Sequence, residues 1–147
     1  MITTEHQLIQ YIIDTTVGHL VNMPEQSLRD TRGCAYRGDE VNGKKQCCAV
    51  GILIDDAHYT FFLETKSATE SNVRRAVAAS LAAQDNIAID AEDIEKILPL
   101  DLLSMLQNIH DDSENWRTKG FIGHDKVKHI IEKLYSTYNL PDSLEMS

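Results

Sequence analysis

Apolar residues recur at helical spacing in five stretches of this chain, and polar residues, glycine and proline collect between them. Ile9, Ile13, Val17 and Leu20 repeat with Leu8 and Ile12 beside them. They predict an amphipathic helix from about Glu5 to Val21. Thr4-x-x-Gln7 supplies a capping box at its start and Pro24 stops it. His6 and His19 read as surface polar residues on or near that helix. Val73, Ala76, Val77, Ser80 and Leu81 give a second stripe, behind a further capping box at Ser67-x-x-Glu70, running to about Ala83. Its small side chains allow a neighbour to come close. Asp85-Asn86 breaks the pattern. Asp90 caps a short helix from Ala91 to Leu98, and Glu92 and Asp93 suit its positive end. Pro99 divides it from a helix whose core stripe is Leu102, Leu106 and Ile109. Val127, Ile130, Ile131, Leu134 and Tyr138 mark a last helix that begins near His124 or Asp125.

The stretch from Gly33 to Asp56 follows no helical period. Asn42-Gly43 is a strong hairpin signal, because both residues tolerate the positive φ of a tight two-residue turn. Cys34–Tyr36 and Gln46–Val50 are the expected arms. The run Cys48–Ile54 is too short for periodicity to separate strand from short helix. A lone hairpin is marginal in water, so it is expected to lie against the helices. Phe61, Phe62 and Leu63 form an expected packing patch, and Ser113–Gly123 reads as a loop. The predicted class is therefore α+β: one helix-dominated domain over residues 1–141, with a single small β-hairpin packed on four or five helices. Residues 142–147 are expected to fray.

Composition narrows the function. The chain has 147 residues, 42% of them hydrophobic and 25% charged, which suits one globular domain with a real core. A net charge of −9 argues against non-specific nucleic-acid binding, which rests on Lys and Arg releasing counterions. It leaves room for a local basic pocket. No apolar run reaches the roughly 20 residues of a membrane span, and the N-terminus lacks the pattern of a signal peptide. A cytoplasmic protein is the expectation.

The chain has three cysteines, an odd number that favours free thiols, ligands or buried small residues over a disulfide framework. Cys48 with His110 has the order of a thiol nucleophile and its base, but Asp111 adjoins His110 in sequence and would orient it poorly. Cys34, Cys47, Cys48, His58 and His110 are zinc-ligand types. Adjacent Cys47-Cys48 lacks the two-to-four-residue spacing that strong zinc patterns show. His110-Asp111 matches only two letters of a metal-dependent phosphohydrolase dyad. Arg37, between Gly33 and Gly38, has the fork to hold a phosphate or carboxylate, or to pair internally with Asp55, Asp111 or Asp112. Tyr36 and Trp116 can stack on a ring.

Cys34-x-Tyr36-Arg37-Gly38, then Cys48-Ala49-Val50-Gly51-x-Leu53-Ile54 with Asp56 and Tyr59, then Leu106-Gln107-x-x-His110-Asp111 together resemble a group of small phage and prophage proteins. This chain adds Cys47 and a longer link between the first two pieces. The resemblance implies that Cys34, Tyr36, Arg37, Cys48, His110 and Asp111 meet in space. The expected ligand-binding set is Tyr36, Arg37, Cys48, His110, Asp111 and Trp116, with no catalytic residue, metal or cofactor assigned. The expected function is non-enzymatic binding by a phage-encoded protein, to a host protein or a small nucleotide-like defence signal. The alternative is a hydrolase or transferase that depends on cysteine and histidine or on a metal.

Overall fold

A computed structural model describes residues 1–21, 40–41, 44–45, 48–99, 101–111, 116–117, 120–121, 132–138 and 140. For residues 20–21, 40–41, 44–45, 65, 110–111, 116–117 and 120–121 the description is of the backbone alone. Four α-helices organise these residues: α1 (Glu5–Val21), α2 (Ser71–Ala82), α3 (Ala91–Ile97) and α4 (Leu102–Asp111). A further helical stretch covers 132–137. Two 3₁₀ segments, Gly51–Leu53 and Phe61–Thr65, lead into α2.

Helix α1 begins where its capping box requires. The Gln7 N–H donates to Thr4 Oγ1 at 3.2 Å, and Gln7 Oε1 accepts the Thr4 N–H at 3.2 Å. These reciprocal bonds satisfy donors that the first turn would otherwise strand. Leu8, Ile12, Ile13 and Val17 then form its buried stripe. Beyond it, Ile2 joins the Gln84–Ala88 turn: its N–H donates to Asn86 O at 2.7 Å and its carbonyl accepts the Ala88 N–H at 2.8 Å.

The core continues through Val73, Val77 and Leu81 of α2, Ile94 of α3, and Leu102, Leu103 and Leu106 of α4. Leu134 and Tyr135 close it from the last helical stretch. Each fully buried aliphatic side chain contributes about 1.5–3 kcal/mol relative to exposure. Asp90 caps α3 as expected, accepting the Asp93 N–H at 2.9 Å. Helix α2 starts later than its sequence signal. Glu70 accepts the Ser67 N–H at 2.7 Å, but within a turn, and the helix begins at Ser71.

The expected α+β class is corrected by the structure, which is helix-dominated. Among the described residues, extended backbone pairs over no more than two residues at a time: Glu40–Val41 with Lys44–Lys45, Trp116–Arg117 with Gly120–Phe121, and the single bridge of Ile2 with Ile87. None of these pairings extends beyond two residues on each side. The physical reason lies in the apolar run that follows. Cys48, Ala49 and Val50, expected as a hairpin arm, are fully buried and turn directly into the 3₁₀ segment. Val50 has helical dihedrals, φ −79° and ψ −35°, and the Ile52 N–H returns to Cys48 O. The apolar side chains of Cys48, Ala49 and Val50 are thus used in the core and not on the face of a strand. The arm expected at Cys34–Tyr36 lies outside the described residues, as do residues 22–39. Among the described residues, no helix is long and apolar enough to cross a membrane.

Candidate functional site

Of the six residues expected to bind a ligand, only Cys48 has a described side chain. It is fully buried, and its Sγ accepts the Gly51 N–H at 3.3 Å. A thiol sealed in a core behaves as a small hydrophobe and lacks the exposure of a nucleophile. Tyr36 and Arg37 lie outside the described residues. His110 and Asp111 are the last two residues of α4, and Trp116 lies in the two-residue pairing with Phe121. The side chains of these three lie outside the described residues as well.

One contact joins two pieces of the sequence pattern. Gln107 of α4 accepts the Val50 N–H at 3.2 Å, tying the turn after Cys48 to the helix that ends in His110-Asp111. Among the described residues, no three histidine, cysteine or carboxylate side chains gather as a metal would require.

The described surface that can meet a ligand is built elsewhere, where residues 55–63 fold over α2. Asp55 folds its loop into a turn. Its Oδ1 accepts the His58 N–H at 2.9 Å and lies 2.6 Å from His58 Nδ1. The Asp55 N–H donates to Ser80 Oγ at 3.0 Å, which fastens the turn to α2. The imidazole is therefore held through Nδ1, and Nε2 is the ring nitrogen left to meet a ligand. His58 and Asp55 are each a little over a third exposed, at 37% and 41%, so solvent reaches the pair.

Beside His58 runs an open groove of about 370 Å³. Leu63, Ala76 and Ala79 supply its apolar base. Thr60, Asn72 and Arg75 add polar groups, and Phe62 stands at its edge. Phe61 and Phe62 are 54% and 56% exposed, whereas Leu63 is 4% exposed. The expected packing patch thus splits. The tight 3₁₀ turn directs only Leu63 inward, because three successive residues of such a turn point three ways. Lys66 Nζ lies 4.6 Å from the Phe62 ring centroid, a cation–π contact that steadies the exposed ring.

Comparisons with protein-family models, with curated proteins and with solved structures found no match. The site therefore rests on its own geometry. The sequence marks His58 as a zinc-ligand type and as the upstream histidine an HD-type metal site would need, and it does not mark Asp55, Phe62 or Arg75 as site residues. Two signals for them were present. Asp55-x-x-His58 has the spacing of a side chain that caps its own turn. Adjacent Phe61-Phe62 cannot both enter one core from a single turn.

A second open groove, of about 380 Å³, lies between α1 and the C-terminal residues and is lined by His6, Gln10, Tyr11, Asp14 and Leu140 among others. Its polar groups are largely spent on holding the fold. Asp14 accepts from Tyr135 Oη at 2.6 Å and from Gln10 Nε2 at 3.0 Å, and Tyr11 donates to Gln84. It reads as a seam between helices.

Proposed function

We propose that this chain is a non-enzymatic binding protein that acts by docking a protein partner on the Phe61–Phe62 surface. The observation that carries this reading is the exposure of two adjacent phenylalanines, each over half accessible, beside an open groove. Exposed aromatic surface costs solubility, and where it is contiguous and edged by polar groups it marks interaction sites. In the setting implied by the phage resemblance the partner is a host protein. A protein is favoured over a nucleotide-like ligand because the groove is open, whereas small ligands are held in sites that bury most of their surface. The sealed thiol of Cys48 adds support by removing the nucleophile of the cysteine-dependent alternative.

The test is site-specific photo-crosslinking. Phe62 is replaced by a photoreactive phenylalanine and the protein is expressed in bacteria, with the same residue at the exposed position of Lys96 as control. A discrete adduct from position 62 that is missing from position 96 is the expected result. Identical adduct patterns from both positions would sink the proposal. A thermal-shift panel of nucleotides runs alongside. A midpoint rise that Arg75→Ala abolishes would move the reading to a small ligand.

A further inference from the structure

We infer that the groove beside Phe62 receives an acidic segment of that partner, one that carries carboxylates next to apolar side chains. This rests on the docking reading and adds the chemistry of the partner. The protein carries a net charge of −9, yet among the described residues no aspartate or glutamate lines this groove. Of the carboxylates near these residues in sequence, Asp55, Glu64 and Glu70 keep their charge but are hydrogen-bonded within the fold, and Asp56 is exposed outside the groove lining. Asp55 holds His58, Glu64 accepts from Tyr59 Oη at 2.5 Å, and Glu70 accepts the Ser67 N–H.

The cationic groups are placed the other way. Arg75 is exposed on α2, lines the groove and pairs with no carboxylate among the described residues. His58 adds a ring nitrogen on the same wall, and Lys66 lies over the Phe62 ring. An arginine fork without an internal carboxylate is complementary to one brought by a partner. Leu63, Ala76 and Ala79 offer the neighbouring apolar side chain a place to bury. Charge complementarity at such a rim sets which partner is accepted more than how tightly it is held. A basic segment would meet Arg75 and Lys66 as like charges, so the groove selects against it.

The experiment uses the full-length protein and two short fluorescent peptides with the same leucine and phenylalanine positions. One is interspersed with glutamate, the other with lysine. Binding is read by fluorescence anisotropy at low ionic strength. The acidic peptide is expected to bind about 10-fold or more tightly than the basic one, the scale of a charge pair gained against a like-charge clash. Arg75→Glu should erase or reverse that preference, and Arg75→Lys should keep it. Circular dichroism checks that these exposed substitutions leave the fold intact. Equal binding of both peptides, tighter binding of the basic one, or indifference to Arg75→Glu would each overturn the inference. So would failure of both peptides to bind. Phe62→Ala separates the two levels of the argument, because it should weaken both peptides. If Phe62→Ala matters and charge does not, docking stands and the acidic partner falls. If Phe62→Ala changes nothing and position 62 gives no specific adduct, docking itself falls.

Discussion

Arg74 and Arg75 are neighbours in sequence with opposite fates, and replacing Arg74 tests how α2 is held in place. Arg74 is 9% exposed and donates to three backbone carbonyls at the end of α3: Leu98 O at 2.9 Å, Glu95 O at 3.2 Å and Pro99 O at 3.4 Å. Glu95 O and Leu98 O lie at a helix terminus, where carbonyls lack an intrahelical donor, whereas Pro99 O also accepts the Leu102 N–H at 3.2 Å. A guanidinium there satisfies them and complements the negative end of the helix dipole. Arg74→Met keeps length and apolar stem but removes every donor. The shortest bond has a charged donor and contributes about 1.5–3 kcal/mol. The helix-end charge adds about 0.5–2 kcal/mol in a partly buried setting. Burial of the methionine returns about 1–2 kcal/mol. A net loss of about 2 kcal/mol is expected, or a fall in Tm of about 4–8 °C for a chain of this size. Urea and thermal unfolding followed by circular dichroism measure both. Arg75→Met, on the exposed side of the same turn, should stay within about 0.5 kcal/mol of the parent. If Arg74→Met is equally mild, or if the two substitutions cost the same, the proposed anchoring of α2 to α3 by Arg74 is wrong.

Three further outcomes follow from the same structure. Gly18 lies within α1, and a Cβ built there meets nothing within 4 Å; Gly18→Ala should therefore raise unfolding free energy by about 0.5–1 kcal/mol, read as a higher urea midpoint. Burial first, then the hydrogen bond and charge of Asp101, push the Tyr138 hydroxyl well above its ordinary pKa. A raised folded-state value means that this contribution is complete below the unfolded value of about 10 and is lost as pH rises above it; Tyr138→Phe should flatten the alkaline loss of stability, and an unchanged pH profile would refute the linkage. In a Cys34→Ala/Cys47→Ala background, the Cys48 thiol should resist a thiol-titrating reagent under native conditions and react promptly in denaturant, whereas prompt native reaction would reopen the cysteine-dependent alternative.

Much of the helical frame was legible because it is written in local terms. The bounds of α1, its Thr4–Gln7 box, the Asp90 cap and the core stripe of α4 depend on residues three or four apart, and such periodicity survives without knowledge of neighbours. The hairpin reading failed as a layer for the opposite reason. Cys48–Val50 has the composition of a strand, but its conformation is chosen by what surrounds it, including Gln107 of α4, which lies 57 residues from Val50. The two-residue pairing at Trp116–Arg117 fell in a stretch expected to be loop, since two residues carry no period to read.

The sequence by itself determined the bounds of α1, the Asp90 cap of α3, the core stripe of α4 and the acidic balance of the chain. Only the tertiary structure decided which of two adjacent arginines is buried, which of three apolar residues at 61–63 enters the core, and that Asp55 grips His58 beside an open groove. Local pattern records which side chains a turn can present. Which of them meets solvent depends on the elements packed against that turn, and those come from distant parts of the chain.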